Sequence, residues 1–101
     1  LNRTPNSGPA MAAVGWGYYR QGKFAEAVTI LERAVLSTPS DAAINDHLGD
    51  AYWRVGRKNE AKYQWNRVLT LEPTAAMKAA VEAKIASPQG PDAAPGRANA
   101  S

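Results

Sequence analysis

Shifted by 34 residues, the chain falls onto itself. Residues 8–41 laid over 42–75 give eight identities: Gly15/Gly49, Tyr18/Tyr52, Arg20/Arg54, Gly22/Gly56, Glu26/Glu60, Ala27/Ala61, Arg33/Arg67 and Pro39/Pro73. Ordinary composition gives roughly two by chance. Pairs such as Val14/Leu48, Tyr19/Trp53, Leu31/Trp65 and Val35/Leu69 keep size or polarity as well. A fixed period in this range points to a solenoid, in which each unit buries its apolar face against its neighbours. Such a fold offers a binding surface and not a catalytic pocket.

Within each period the apolar spacing is helical. Residues 8–21 read as a helix, with Gly8 able to cap it, Pro9 in its first turn and a stripe of Met11, Val14, Gly15 and Tyr18. Gly22 closes it, and a second helix over 24–37 carries Phe24, Ala27, Val28, Leu31 and Val35 at i, i+3, i+4, i+7 and i+11. Pro39 ends that helix. Ser40 or Asp41 starts the next, over 42–55, with Ile44, Leu48, Ala51, Tyr52 and Val55 on one side. Gly56 turns the chain into a helix at about 58–71 that carries Ala61, Trp65, Val68 and Leu69. After Pro73, Thr74 caps a fifth helix at 75–86. Its narrow stripe of Met77, Val81 and Ile85 suits a terminal capping helix. Residues 87–101 hold three prolines and two glycines without a large apolar side chain, so a flexible tail is expected. Leu1, Thr4 and Pro5 fall in register with Val35, Thr38 and Pro39. Residues 1–7 therefore read as the tail of a preceding repeat, and the chain as the end of a longer array.

Composition narrows the function. With no cysteine and one histidine, His47, neither thiol chemistry nor a histidine-based metal cluster is available, and no cofactor is expected. A net charge of +3 is mild beside that of a dedicated nucleic-acid arm. No apolar run is long enough for a membrane span. The first residue is Leu1, so a missing export signal carries no weight.

Glycine in mid-helix costs about 1 kcal/mol relative to alanine. Gly15 and Gly49 are therefore expected where a neighbouring backbone comes close, with Ala27 and Ala61 facing them. Tyr18 and Tyr52 are expected to fill the space between units.

In this setting the chain resembles the tetratricopeptide repeat family, whose signature runs W-x2-L-G-x2-Y, then A-x3-F, then P. The second unit matches with Leu48, Gly49, Tyr52, Ala61, Trp65 and Pro73, and the first with Val14, Gly15, Tyr18, Ala27, Leu31 and Pro39. Met11 and Asn45 stand where the family has its opening aromatic. The segment 44–65 is also similar to the final repeat of long bacterial tetratricopeptide proteins of the cell envelope. The resemblance implies an all-α solenoid of two helical hairpins, 8–41 and 42–75, with a capping helix at 76–86. It implies a right-handed superhelix whose concave face is lined by the first helix of each pair. On this chain that face is Ala12, Trp16, Tyr19, Arg20, Asp46, Asp50, Trp53 and Arg54. The family's carboxylate clamp for acidic chaperone tails needs Lys and Asn where this chain has Ala12 and Trp16, then Asp46 and Asp50, so that role is not expected.

The expected function is thus docking of a protein or peptide partner, without catalysis, small-molecule substrate or metal. Trp16, Tyr19 and Trp53 would supply apolar contact. Arg20 and Arg54 would hold a partner carboxylate or pair internally with Asp46 or Asp50. Asp46 and Asp50, an i, i+4 pair, read as a solvated or partner-facing strip. Trp65 falls in the core stripe, and His47 reads as structural or solvent-facing. Two alternatives accompany this reading. One is self-association into a homo-oligomer through an uncovered face of the first helix. The other is nucleic-acid binding through Arg54, Arg57, Lys58, Lys62 and Arg67 with interleaved aromatics. Lys62 and Arg67 point away from Trp65, which disfavours the second.

Overall fold

The computed structural model describes residues 7–92, and among them the fold is all-α, built from five helices. They are α1 (Gly8–Arg20), α2 (Phe24–Ser37), α3 (Ala42–Arg54), α4 (Lys58–Leu69) and α5 (Ala75–Ala86). A short 3-10 turn, Gly90–Asp92, follows them. The proposed preceding repeat at 1–7 falls almost wholly outside the described residues, as does 93–101.

Local chemistry sets the helix ends. Ser7, not Gly8, caps α1, its side chain accepting from the Ala10 N–H at 3.1 Å. Asp41 caps α3 through the Ile44 N–H at 3.1 Å, and Thr74 caps α5 through the Met77 N–H at 3.1 Å. Both hairpin turns close in the same way. Gly22 and Gly56 take positive φ of 81° and 87°, and the Lys23 and Arg57 N–H groups return to the Tyr18 and Tyr52 carbonyls at 2.9 Å. That is the Schellman closure, which satisfies the last free carbonyls of a helix.

Each helix packs on the next, and α1 also meets α3. The result is a repeat-like helical arrangement with one continuous core of Met11, Ala27, Val28, Leu31, Ile44, Leu48, Ala51, Trp65, Val68 and Val81. Gly15 and Gly49 lie at the tight crossings of the two hairpins. A Cβ on Gly15 would stand 2.7 Å from Leu31 Cγ, and one on Gly49 would strike the Trp65 indole. The space is filled by the partner helix's side chain and not by its backbone, which corrects the sequence expectation. Ala27 and Ala61, fully buried, sit on the facing helices. Tyr52 joins the hairpins by donating to Glu32 Oε2 at 2.6 Å.

Two stripe residues depart from expectation. Val14 and Val55 are exposed. Val14 lies on α1, which packs on α2 and α3 and leaves its remaining side uncovered among the described residues. The flexible tail expected over 87–101 is also corrected at its start. Residues 87–92 form a turn in which the Gly90 and Asp92 N–H groups donate to the Ser87 and Gln89 carbonyls at 3.2 Å, and this turn packs on α5 and α3.

Candidate functional site

The α1–α3 contact carries a tier of flat rings. Trp16 stacks on Tyr19 within its own helix, with centroids 4.3 Å apart and planes 9° from parallel. On its other side it stacks on His47 of α3 at 4.0 Å and 22°. Trp16, Tyr19 and His47 are all half-buried, so the tier is both packed and reachable. Beside it opens a cleft of about 390 Å3 lined by Pro9, Ala12, Ala13, Trp16, Asp41, Ala43, Ile44 and His47. Burial lowers the His47 pKa, and its Nδ1 is buried without a hydrogen-bond partner among the described residues.

Arg54 ends the tier. Its Nε donates to the Tyr19 hydroxyl at 2.9 Å, and its guanidinium lies 5.7 Å from the centre of the Tyr19 ring. Its two terminal nitrogens grip Asp92, Nη2 to Oδ1 at 2.7 Å and Nη1 to Oδ2 at 3.2 Å. Such a fork is the strong geometry for a carboxylate. The Asp92 carboxyl is held below its usual range by this contact, while the Arg54 pKa is raised by Asp92 and then by Tyr19. Burial raises the Tyr19 pKa, opposed by the Arg54 hydrogen bond.

Trp53 lies one residue along, half-buried, with its ring centre 5.6 Å from that of Trp65. Lys58 Nζ stands 4.7 Å above it, and Gly90 rests directly against its indole. A Cβ at position 90 would overlap that ring.

The two acidic residues have another role. Lys84 of α5 reaches between them, its Nζ donating to Asp46 Oδ1 at 2.7 Å and to Asp50 Oδ1 and Oδ2 at 2.9 and 3.2 Å. Asp50 Oδ1 also accepts from Trp65 Nε1 at 3.1 Å, and Asp50 is only 6% exposed. Burial pushes its carboxyl up to about 6 against the pull of Lys84. For Lys84, burial pulls the pKa down, but Asp50 and Asp46 together outweigh it and the net direction is upward. Next to this cluster Asn45 is fully buried, donating to the Pro39 and Asp41 carbonyls at 3.1 and 2.9 Å and accepting from Gln64 Nε2 at 2.8 Å.

The structure thus brings Trp16, Tyr19 and Arg54 into one strip, with Trp53 adjoining it and Ala12, 7% exposed, in the wall of the cleft. Arg20 stands apart and exposed. The expectation of a solvated acidic strip is corrected: Asp50 is buried and both carboxylates are tied to Lys84. Internal pairing of Arg54 with Asp46 or Asp50 is corrected too, since Arg54 pairs with Asp92 and Tyr19. The basic run is dispersed. Arg57 pairs with Glu60 at 2.7 Å, Lys58 covers Trp53, and Arg67 donates to the Pro39 carbonyl at 3.0 Å. Trp65, fully buried, offers no face to a base.

Sequence reasoning missed Lys84, Gly90 and Asp92, and left His47 outside the site. Lys84 had a signal: it lies 34 residues after Asp50, one full period. Among the described residues no group of three acidic, histidine or cysteine side chains could hold a metal ion. No helix there is long and apolar enough to cross a membrane. No protein-family model matches the chain, and no curated protein is significantly similar to it.

Proposed function

We propose that this chain is a protein-interaction module. In this reading its hairpins stack as a tetratricopeptide-like α-solenoid, and a partner's peptide or helix docks along the face made by α1 and α3. One observation carries the reading: a strip of stacked rings, Trp16, Tyr19 and His47, ends at a guanidinium held in place by Tyr19. Half-buried aromatics and arginine are the residue types that anchor peptides. The adjoining cleft takes an apolar side chain, while Arg54 takes a carboxylate and so fixes direction. Asp46 and Asp50 serve the module from inside, by holding α3 to α5. No catalytic step is assigned.

Panning a random peptide display library on the full chain tests this. Enriched peptides should pair an acidic residue with aromatic or proline residues. They should lose about tenfold in affinity, or about 1.4 kcal/mol, on Arg54→Ala with the helix content unchanged. A library that yields no binder, or only binders indifferent to Arg54 and Trp16, sinks the proposal.

A further inference from the structure

The turn at Gly90–Asp92 sits where a ligand would. The turn packs on α5 and makes two contacts with α3: a glycine on the Trp53 indole, and a carboxylate forked by Arg54. Position 90 admits nothing larger than glycine, because any Cβ there falls inside the indole, and its φ of 56° favours glycine as well. Among the described residues, side-chain hydrogen bonds tie the turn to α3 alone, through Asp92. Pro88, Gln89 and Asp92 are exposed, and the Asp92 side chain keeps 64% of its accessible surface.

The receptor surface does not depend on this occupant. Arg54 is oriented by Tyr19 through its Nε, which leaves the two terminal nitrogens presented as a pair. Trp53 is backed by Trp65, and α5 is anchored separately by fully buried Val81 and by Lys84. A preformed site with a lightly held occupant is the arrangement expected of an internal competitor. The few residues between Ala86 and Gly90 hold it at an effective concentration in the millimolar range, so an outside ligand must be strong or the segment must leave.

We propose that Gly90–Asp92 is an intramolecular stand-in for the partner. On this view the partner is an acidic peptide that lays a glycine on Trp53 and places a carboxylate, two residues later, on Arg54. It binds as the chain's own segment swings away. The proposal rests on the peptide-binding reading above and adds both the ligand's chemistry and its regulation.

The test uses the full chain and a labelled peptide of residues 86–93 with blocked termini, titrated by fluorescence anisotropy. The double variant Gly90→Val with Asp92→Lys releases the segment without touching the core. It should bind the peptide about tenfold or more tightly than the wild type does. Adding Arg54→Glu should abolish that binding while the circular dichroism spectrum stays helical. Equal affinity for wild type and double variant, or no binding to the double variant, overturns the proposal. Display-selected peptides separate the two readings. If they bind the α1–α3 face equally well in both forms, the internal competitor fails and the interaction module stands. If neither form binds any selected peptide, both fail.

Discussion

Where the first hairpin carries Trp16, the second carries Asp50, and the helix after it carries Lys84; each lies 34 residues from the last. The backbone plan is shared, down to the Schellman turns and the mid-helix glycines, yet the chemistry differs at each step. The first hairpin is held by apolar packing, Leu31 against Gly15, and carries its rings half-buried at the contact with α3. The second carries a buried polar chain from Lys84 through Asp50 to the Trp65 indole. The difference teaches that the repeat sets where a side chain goes, whereas its role depends on which neighbour arrives opposite it. Trp16 meets an imidazole and stays reachable. Asp50 meets an ammonium and is sealed.

Removing the lysine should break that comparison most sharply. Lys84→Met keeps the side-chain stem but leaves two carboxylates without their cation, one of them buried. A loss of about 3 kcal/mol in urea denaturation at pH 7 is expected. A loss under about 1 kcal/mol would mean the second hairpin needs α5 no more than the first does.

The paired glycines give a smaller contrast. Overpacking costs about 1–3 kcal/mol, and alanine returns about 1 kcal/mol of helix propensity. At Gly49 the new methyl meets an indole fixed by Asp50 and Trp53, so Gly49→Ala should lose about 2 kcal/mol net. At Gly15 it meets the fully buried Leu31 and the half-exposed Ile30, of which only Ile30 can turn aside, so Gly15→Ala should lose less, about 1 kcal/mol net. Equal thermal midpoints for the two variants would contradict this.

The smallest effect is a change of slope with pH. The Asp50 pKa is raised on folding to about 6, well above the ordinary carboxylate value. In that window the native state binds the extra proton, so this group's contribution to stability falls as pH rises. His47, lowered by burial, acts in the opposite sense: its contribution is lost as pH falls below about 6.5. Asp46 and Lys84 face the same cluster, so Asp50 is isolated by difference. Asp50→Asn should lose stability more steeply than the wild type between about pH 6 and pH 4. Parallel curves would remove Asp50 from the balance.

Much of this was legible in the chain. The period, the helix limits to within a residue or two, the glycine turns and the burial of Trp65 all follow from spacing. The family resemblance, carried onto this register, placed Trp16, Tyr19 and Arg54 on one face. The fate of Asp46 and Asp50 was not legible, because on their own helix they form an acidic pair, and only α5 supplies the cation. The turn at 87–92 was missed for a different reason. Composition counts apolar area, and this segment has almost none. Beside its packing on α5, it meets α3 through a glycine that fits because it lacks a side chain, and through a single carboxylate.

The central claim is that ligands meet the face formed by α1 and α3. Proton–nitrogen correlation spectra of the labelled full chain, titrated with a display-selected peptide, test it through the three indole signals. Those of Trp16 and Trp53 should move with ligand while that of buried Trp65 moves least. Shifts confined to the outer surfaces of α2 and α4, with the Trp16 and Trp53 indoles unmoved at saturation, would contradict it.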